Sequence, residues 1–402
     1  MRDWLKEQGC THIALESTGV YWKPIYNLLE EDFEILVVNA HHLKTVPGRK
    51  TDVKDSEWIA DLLQHGLLRA SFIPSAPQRE LRELTRYRTR LIEERAREIN
   101  RLQKTLEDTN LKLGDVVSDL MGKAARMILS AIADGENDPS CLASLAVGRV
   151  RASQEELERA LTGKVTAHHR FMLWEHLKQI DTLESAIGRV SEEIARRFSP
   201  PDPPADPASF PDETELSIPS PAAQEMAEEV ASKPELSWQA ALALLISIPG
   251  MSERAAQCIL AEIGIQMQQF PTAQHLAAWA GVCPGNHESA GKRLSGKTSQ
   301  GNPWLRRVLI QVAHAAAHTK KTYLAAQYRR IASRRGGKRA AMAVAHSILI
   351  MIYHLLNRDI PYQEVGGNFF DERDRQAVEK RLVRRLERLG YQVELQPVAQ
   401  AG

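Results

Sequence analysis

The stretch Arg49-Lys50-Thr51-Asp52-Val53-Lys54-Asp55 sets two carboxylates three residues apart among basic and hydroxyl side chains. On a helix that spacing brings Asp52 and Asp55 to one face, and a third carboxylate, Glu16, closes a short apolar run upstream. Carboxylate oxygens are hard ligands for a divalent cation such as Mg2+. Two such ions, roughly 4 Å apart, activate the attacking oxygen of a phosphodiester exchange and stabilise the leaving one. Arg49, Lys50 and Lys54 would then hold the phosphate backbone. A plainer reading fits the same residues: Asp52 as the N-cap of a helix beginning at Val53, with Asp55 closing a capping box. Spacing alone leaves both open.

A second candidate is Ser289, in Glu288-Ser289-Ala290-Gly291-Lys292-Arg293. A serine in a Gly-Lys-Arg loop serves as a phosphate ligand, as a nucleophile on phosphorus, or only as a turn former. From Asn286 to His346 thirteen basic residues, including Lys292, Arg293, Lys297, Arg306 and Arg307, stand against one acid, Glu288. A segment of one sign points to a polyanion partner. Upstream, Ile248-Pro249-Gly250-Met251-Ser252 separates two apolar helical runs. A helix, a tight turn at Gly250 and a second helix with outward N-terminal amides can hold a phosphate backbone without reading sequence; an ordinary helical hairpin fits as well. His314 and His318, four apart, have no third ligand at a metal-binding spacing and read as a helix surface. His41 and His42 precede the basic stretch and are given no catalytic role.

These residues need elements to position them. Thr11 to Glu16 and Glu34 to Asn39 read as strands, Val20 to Glu30 has helical spacing, and a helix runs from Val53 to about Leu67. Strand, helix, strand and helix, with acids at the strand ends, is the grammar of an α/β sheet. Gln78 to Leu113 and His169 to Phe198 are long helices with leucine and isoleucine seams, predicting an antiparallel coiled-coil pair or part of an intermolecular bundle. The arginines of the first are interleaved with glutamates and read as a solvated face. Ser199 to Pro234, rich in Pro, Ala, Ser and acids, reads as an extended linker that separates domains. Leu276 to Arg307, punctuated by glycines, reads as loops between helices. The expected organisation is an α/β domain at 1–77, a helical coiled-coil region at 78–198, the linker at 199–234, a helical C-terminal domain at 235–360 and a partly helical tail at 361–402.

The 402 residues suffice for several domains, and a net charge of +1 excludes nothing by itself. The four cysteines, Cys10, Cys141, Cys258 and Cys283, form no close pair. That excludes a zinc ribbon and suits a reducing compartment. With no signal-peptide pattern and with Ala340 to Leu356 interrupted by His346 and His354, the expectation is a soluble cytoplasmic protein with no membrane partner.

Taken together, Glu16-Ser17-Thr18-Gly19-Val20-Tyr21-Trp22, Lys50 to Asp55, Pro249-Gly250, Gly281 to Pro284, Ser289 to Lys292 and Gly301-Asn302 to Arg306 resemble the DEDD transposases of insertion sequences. The resemblance covers nearly the whole chain. It implies a RuvC-like (RNase H-like) α/β catalytic domain, a helical coiled-coil insertion and a helical C-terminal transposase domain. It also implies RNA-guided, magnesium-dependent DNA recombination with a serine nucleophile, in a homo-oligomer that builds composite sites from domains of different subunits. Glu16, Asp52 and Asp55 match the second, third and fourth acids, and Ser289 matches the serine, with Ser295 as the alternative. The family's first acid, in a Gly-x-Asp context on an opening strand, has no counterpart here, and Asp3, on a helix, is no substitute. The expectation is a misplaced start or a shortened relative, the latter a nucleic-acid-binding remnant with weak or absent catalysis.

Overall fold

The structure, a computed structural model, describes residues 1–39, 52–146, 150–199, 236–285, 287–289, 292–295, 298 and 300–395, with the backbone alone at 52–55, 287–289 and 292–295. The chain is mostly helical and divides into two units, Met1–Ala76 and Pro77–Gly402.

The first unit runs helix α1 (Arg2–Glu7), strand β1 (His12–Glu16), helix α2 (Trp22–Leu29), strand β2 (Glu34–Val38) and helix α3 (Asp52–Gln64). The two strands pair in parallel, His12 opposite Glu34 and Glu16 opposite Val38. Parallel neighbours cannot be joined by a tight turn, and α2 supplies the crossover, packing on β2 while α3 packs on β1. Leu29, Phe33, Val37, Val38 and Leu62 are buried between them. On its other edge β2 meets Ala70 through an isolated antiparallel bridge at Val38, and the Ser71 N–H donates to the Val37 carbonyl at 2.7 Å. The expected order of elements is present, and the sheet of the described residues is small.

The second unit begins with the long helix α4 (Ala76–Asp108). Helices α5 (Leu113–Val116), α6 (Lys123–Asp134), α7 (Pro139–Ser144) and α8 (Gln154–Ala160) follow, and then the long helix α9 (Ala167–Phe198). Helices α4 and α9 run antiparallel: Glu80 pairs with Arg197 and Arg95 with Glu184, both at 2.5 Å, and Glu98 with His176 at 2.6 Å. At one end Leu102, Leu106, Leu173 and Leu177 of this pair share a core with Ile128, Leu129 and Ile132 of α6. The stretch between the long helices is thus a helical cap with a core of its own.

At the other end the pair enters a second core with α10 (Trp238–Ile246), α11 (Glu253–Ile263), α12 (Ala273–Trp279), α13 (Pro303–Ala317), α14 (Tyr323–Arg335) and α15 (Gly337–Arg358). Helix α15 is its centre, with Val344, Ile348, Leu349 and Ile352 fully buried against α10, α12, α13 and α14. Length and composition alone would let α15 cross a membrane; here its apolar face fills the core. Leu81 of α4 and Ile194 and Phe198 of α9 belong to the same core, and Phe198 meets Trp238 edge-on at 5.7 Å. The residues flanking the Pro-rich segment therefore touch; residues 200–235 lie outside the described residues.

Leu276 to Arg307, expected as loops, contains an antiparallel hairpin, β3 (His287–Ser289) and β4 (Lys292–Ser295). Its residues show no alternation of apolar and polar side chains, so pattern reading had no strand signal there. The tail adds α16 (Phe369–Arg373) and α17 (Arg375–Glu387).

Candidate functional site

Glu16 stands at the C-terminal end of β1, half-buried, and accepts a hydrogen bond from Thr18 Oγ1 at 2.8 Å. The Ser17 N–H donates to the Val38 carbonyl at 2.9 Å, which extends the ladder one residue past Glu16. Gly19 then turns the chain toward α2 at φ +56°, a conformation that glycine adopts without strain. Helix α3 starts at Asp52 and packs on β1, so strand end and helix start belong to one small fold. The side chains of Asp52, Lys54 and Asp55 are not described, and Arg49, Lys50, His41 and His42 lie outside the described residues. Among the described residues no group of three or more metal-type ligands is assembled. The three acids expected to form the site are all oxygen donors, the chemistry a hard divalent cation requires.

In the hairpin Ser289 opposes Lys292, Glu288 opposes Arg293 and His287 opposes Ser295. Ser289 is the last residue of β3, at the hairpin tip; the side chains of Ser289, Lys292, Arg293 and Ser295 are not described, and Lys297 lies outside the described residues. The base of this segment is held by two glycines. Gly281 (φ +71°) and Gly301 (φ +51°) cross so closely that a Cβ on Gly301 would lie 2.3 Å from the Gly281 nitrogen. Only glycine fits both positions, so the chain leaves α12 and returns to α13 at one point.

The return point is fixed further by Asn302. Its Oδ1 caps α13, accepting from the Trp304 and Leu305 N–H groups at 3.0 and 3.2 Å. Its Nδ2 donates to Glu262 Oε2 at 2.7 Å. Glu262, 3 % exposed, also accepts two hydrogen bonds from Arg86, Nε at 2.6 Å and Nη2 at 2.8 Å. Arg82 lies 3.4 Å away and donates to the Glu262 carbonyl at 2.6 Å. Burial holds the Arg82 guanidinium below its ordinary pKa, against the opposing pull of Glu262. Arg88, buried as well, donates to Gln257 Oε1 at 2.9 Å and faces Cys258 Sγ at 3.9 Å. Burial pushes the Cys258 thiol up. These arginines correct the solvated-face reading of α4: Arg82, Arg86 and Arg88 dock the helix to α11. Their partners lie some 170 to 180 residues downstream, beyond the reach of any local pattern.

Gly250, at φ +84°, turns α10 into α11, and a Cβ there would lie 2.4 Å from the Ala316 nitrogen. The turn rests on the end of α13, and Ser252 caps α11 by accepting from the Ala255 N–H at 3.3 Å. Arg306 and Arg307 lie in the first two turns of α13. Arg307 pairs with Glu93 of α4, and its guanidinium carbon lies 5.6 Å from the centre of the Trp304 ring. The His314 ring meets Tyr328 edge-on at 6.1 Å.

Comparison with known proteins bears on both ends of the chain. Residues 1–111 match the IS110-type DEDD family described as transposase, and residues 242–329 match the family described as transposase IS116/IS110/IS902. A protein of Pseudomonas aeruginosa named "Probable family 20 transposase" is 22 % identical over 371 residues, covering 90 % of this chain and 89 % of that protein.

Proposed function

We propose that the chain, an IS110-family transposase with a DEDD N-terminal domain and an IS116/IS110/IS902-type C-terminal domain, joins insertion-sequence ends to target DNA by magnesium-dependent phosphoryl transfer. Glu16, Asp52 and Asp55, on a RuvC-like fold, are the carboxylates that would hold Mg2+. Bound there, the cation supplies Lewis-acid stabilisation to the oxygens of the reacting phosphate. Ser289 is the nucleophile, with Ser295 as the alternative. Its Oγ bonds to phosphorus while the bond from phosphorus to the leaving deoxyribose oxygen breaks. The serine proton passes to that oxygen, and the DNA is held as a phosphoserine ester.

Arg49, Lys50, Lys54, Lys292, Arg293, Lys297, Arg306 and Arg307 hold the nucleic-acid backbone, and the Gly250 turn presents the start of α11 to it. A non-coding guide RNA directs the choice of target. The working form is a homo-oligomer whose subunits pair through the α4 and α9 coiled coil, acting at the nucleoid in the cytoplasm.

The observation that carries this reading is the hairpin. Ser289 opposes Lys292 at its tip, at the far end of a segment whose base is pinned by Gly281 and Gly301. That supports a reactive residue held out on a fixed arm, since precise presentation is what a displacement at phosphorus requires. The test is recombination between donor and target plasmids with the cognate non-coding ends supplied. Ser289→Ala is expected to abolish both recombination and the covalent protein–DNA adduct while retaining gel-shift binding, and Ser295→Ala to retain all three. Full recombination by Ser289→Ala would exclude it as the nucleophile.

A further inference from the structure

A hollow of about 250 Å³ opens between α4, α11 and α13, and of its lining only Arg307 and the start of α11 have a role in the proposed function. Trp304 gives it one flat wall, an indole, and Ile92 and Val308 add apolar surface. Arg254 and Arg307 also line it. Three guanidinium carbons, of Arg86, Arg90 and Arg307, lie 5.6, 5.5 and 5.6 Å from the centre of the one indole ring.

The charges do not cancel. Of the charged residues that line it, Arg86 pairs with Glu262 and Arg307 with Glu93, which leaves Arg254 in surplus, and Arg90 adds a further cation at the ring. Arg90 and Arg254 are exposed and have no ion-pair partner among the described residues. Arg86 is held in place by its two hydrogen bonds to Glu262, which fixes a cation beside the indole. An aromatic wall for a ring, together with surplus guanidinium charge, matches the chemistry of an unpaired nucleotide: the base stacks and the phosphates meet arginine. A base within a duplex already has both faces covered by its neighbours and offers none to the indole.

Resting on the nucleic-acid function proposed above, we infer that this hollow takes one unpaired nucleobase of a single strand, stacked against Trp304, with the adjoining phosphates held by Arg90 and Arg254.

Short single-stranded DNA and RNA oligonucleotides carrying one 2-aminopurine test this, because stacking on an indole quenches that base. The same strands annealed to their complements give the duplex comparison. The wild-type full chain is expected to quench the single strand. Trp304→Ala should lose the quenching and weaken single-strand binding roughly tenfold, the order of one stacked base, with duplex affinity unchanged. Trp304→Phe should retain both. Arg90→Ala and Arg254→Ala alter exposed side chains; each should lower single-strand affinity and reduce the salt slope by about one phosphate, with quenching at saturation intact. Quenching of DNA, of RNA or of both supports the site and identifies the strand it takes. If Trp304→Ala quenches like the wild type, or loses single-strand and duplex binding by the same factor, the site is wrong and the DNA reading stands. A wild-type chain that binds no nucleic acid overturns both.

Discussion

Glu262 shows why part of the site escaped the sequence. It sits in an apolar helical run, Cys258-Ile259-Leu260-Ala261-Glu262-Ile263, where a lone acid reads as a surface residue. In the fold it is buried and holds Arg86, Arg82 and Asn302 together. Arg82 and Arg86 lie one turn apart on α4 and Asn302 caps α13, both far from Glu262 in sequence, so only the tertiary structure unites them. Neutralising it leaves the largely buried Arg82 without its counter-charge. Removing one member of a buried pair costs several kcal/mol because the other stays desolvated, but Arg86 is one-third exposed and solvent screens part of its loss. Glu262→Gln is expected to lower the unfolding free energy by about 2–4 kcal/mol, measured by chemical denaturation. A change within about 0.5 kcal/mol, the range of an ordinary surface substitution, would show that the three contacts are independent of its charge. The acids themselves were more legible: Glu16 was read at a strand end and Asp52 at a helix start, and both are found there.

At the scale of elements the helices were the readable part, because each carries a local signal. The turn Ile248-Pro249-Gly250-Met251-Ser252 was expected between two apolar helices and lies between α10 and α11. The hairpin was not readable, since β3 and β4 are short and polar and owe their place to what pins their base. That pin can be tested against an equivalent strain elsewhere. Gly301→Ala and Gly250→Ala both force a side chain onto positive φ and into backbone, at 2.3 Å from Gly281 N and 2.4 Å from Ala316 N. Each is expected to cost more than about 1 kcal/mol of stability. Only Gly301→Ala displaces the segment that carries Ser289, and a misplacement of about 1 Å can cost on the order of 100-fold in rate. Gly301→Ala should therefore reduce recombination far more than Gly250→Ala at matched stability. Equal losses, tracking the unfolding midpoints alone, would mean that the glycine crossing positions nothing that the reaction needs.

At the scale of the whole chain, the apolar burial of the described residues is unevenly shared. The second unit holds both large cores, one around α15 and one around α6, with α4 and α9 running between them. Among its described residues the first unit buries Leu29, Phe33, Val37, Val38 and Leu62, a small core, and small domains are marginal for that reason. Stability and metal chemistry are thus expected to separate along the chain. A fragment spanning residues 77–402 should unfold cooperatively and keep the single-strand quenching at Trp304, because every residue of that hollow lies within it. Lacking Glu16, Asp52 and Asp55, it should recombine nothing, whereas the full chain should recombine with Mg2+ and stop when EDTA removes it. Calorimetry, 2-aminopurine fluorescence and the plasmid assay on the same two proteins read the three properties independently. Recombination by the fragment would place the essential chemistry wholly in the C-terminal unit, and a fragment that fails to fold would mean that the small α/β unit contributes more to stability than its buried surface accounts for.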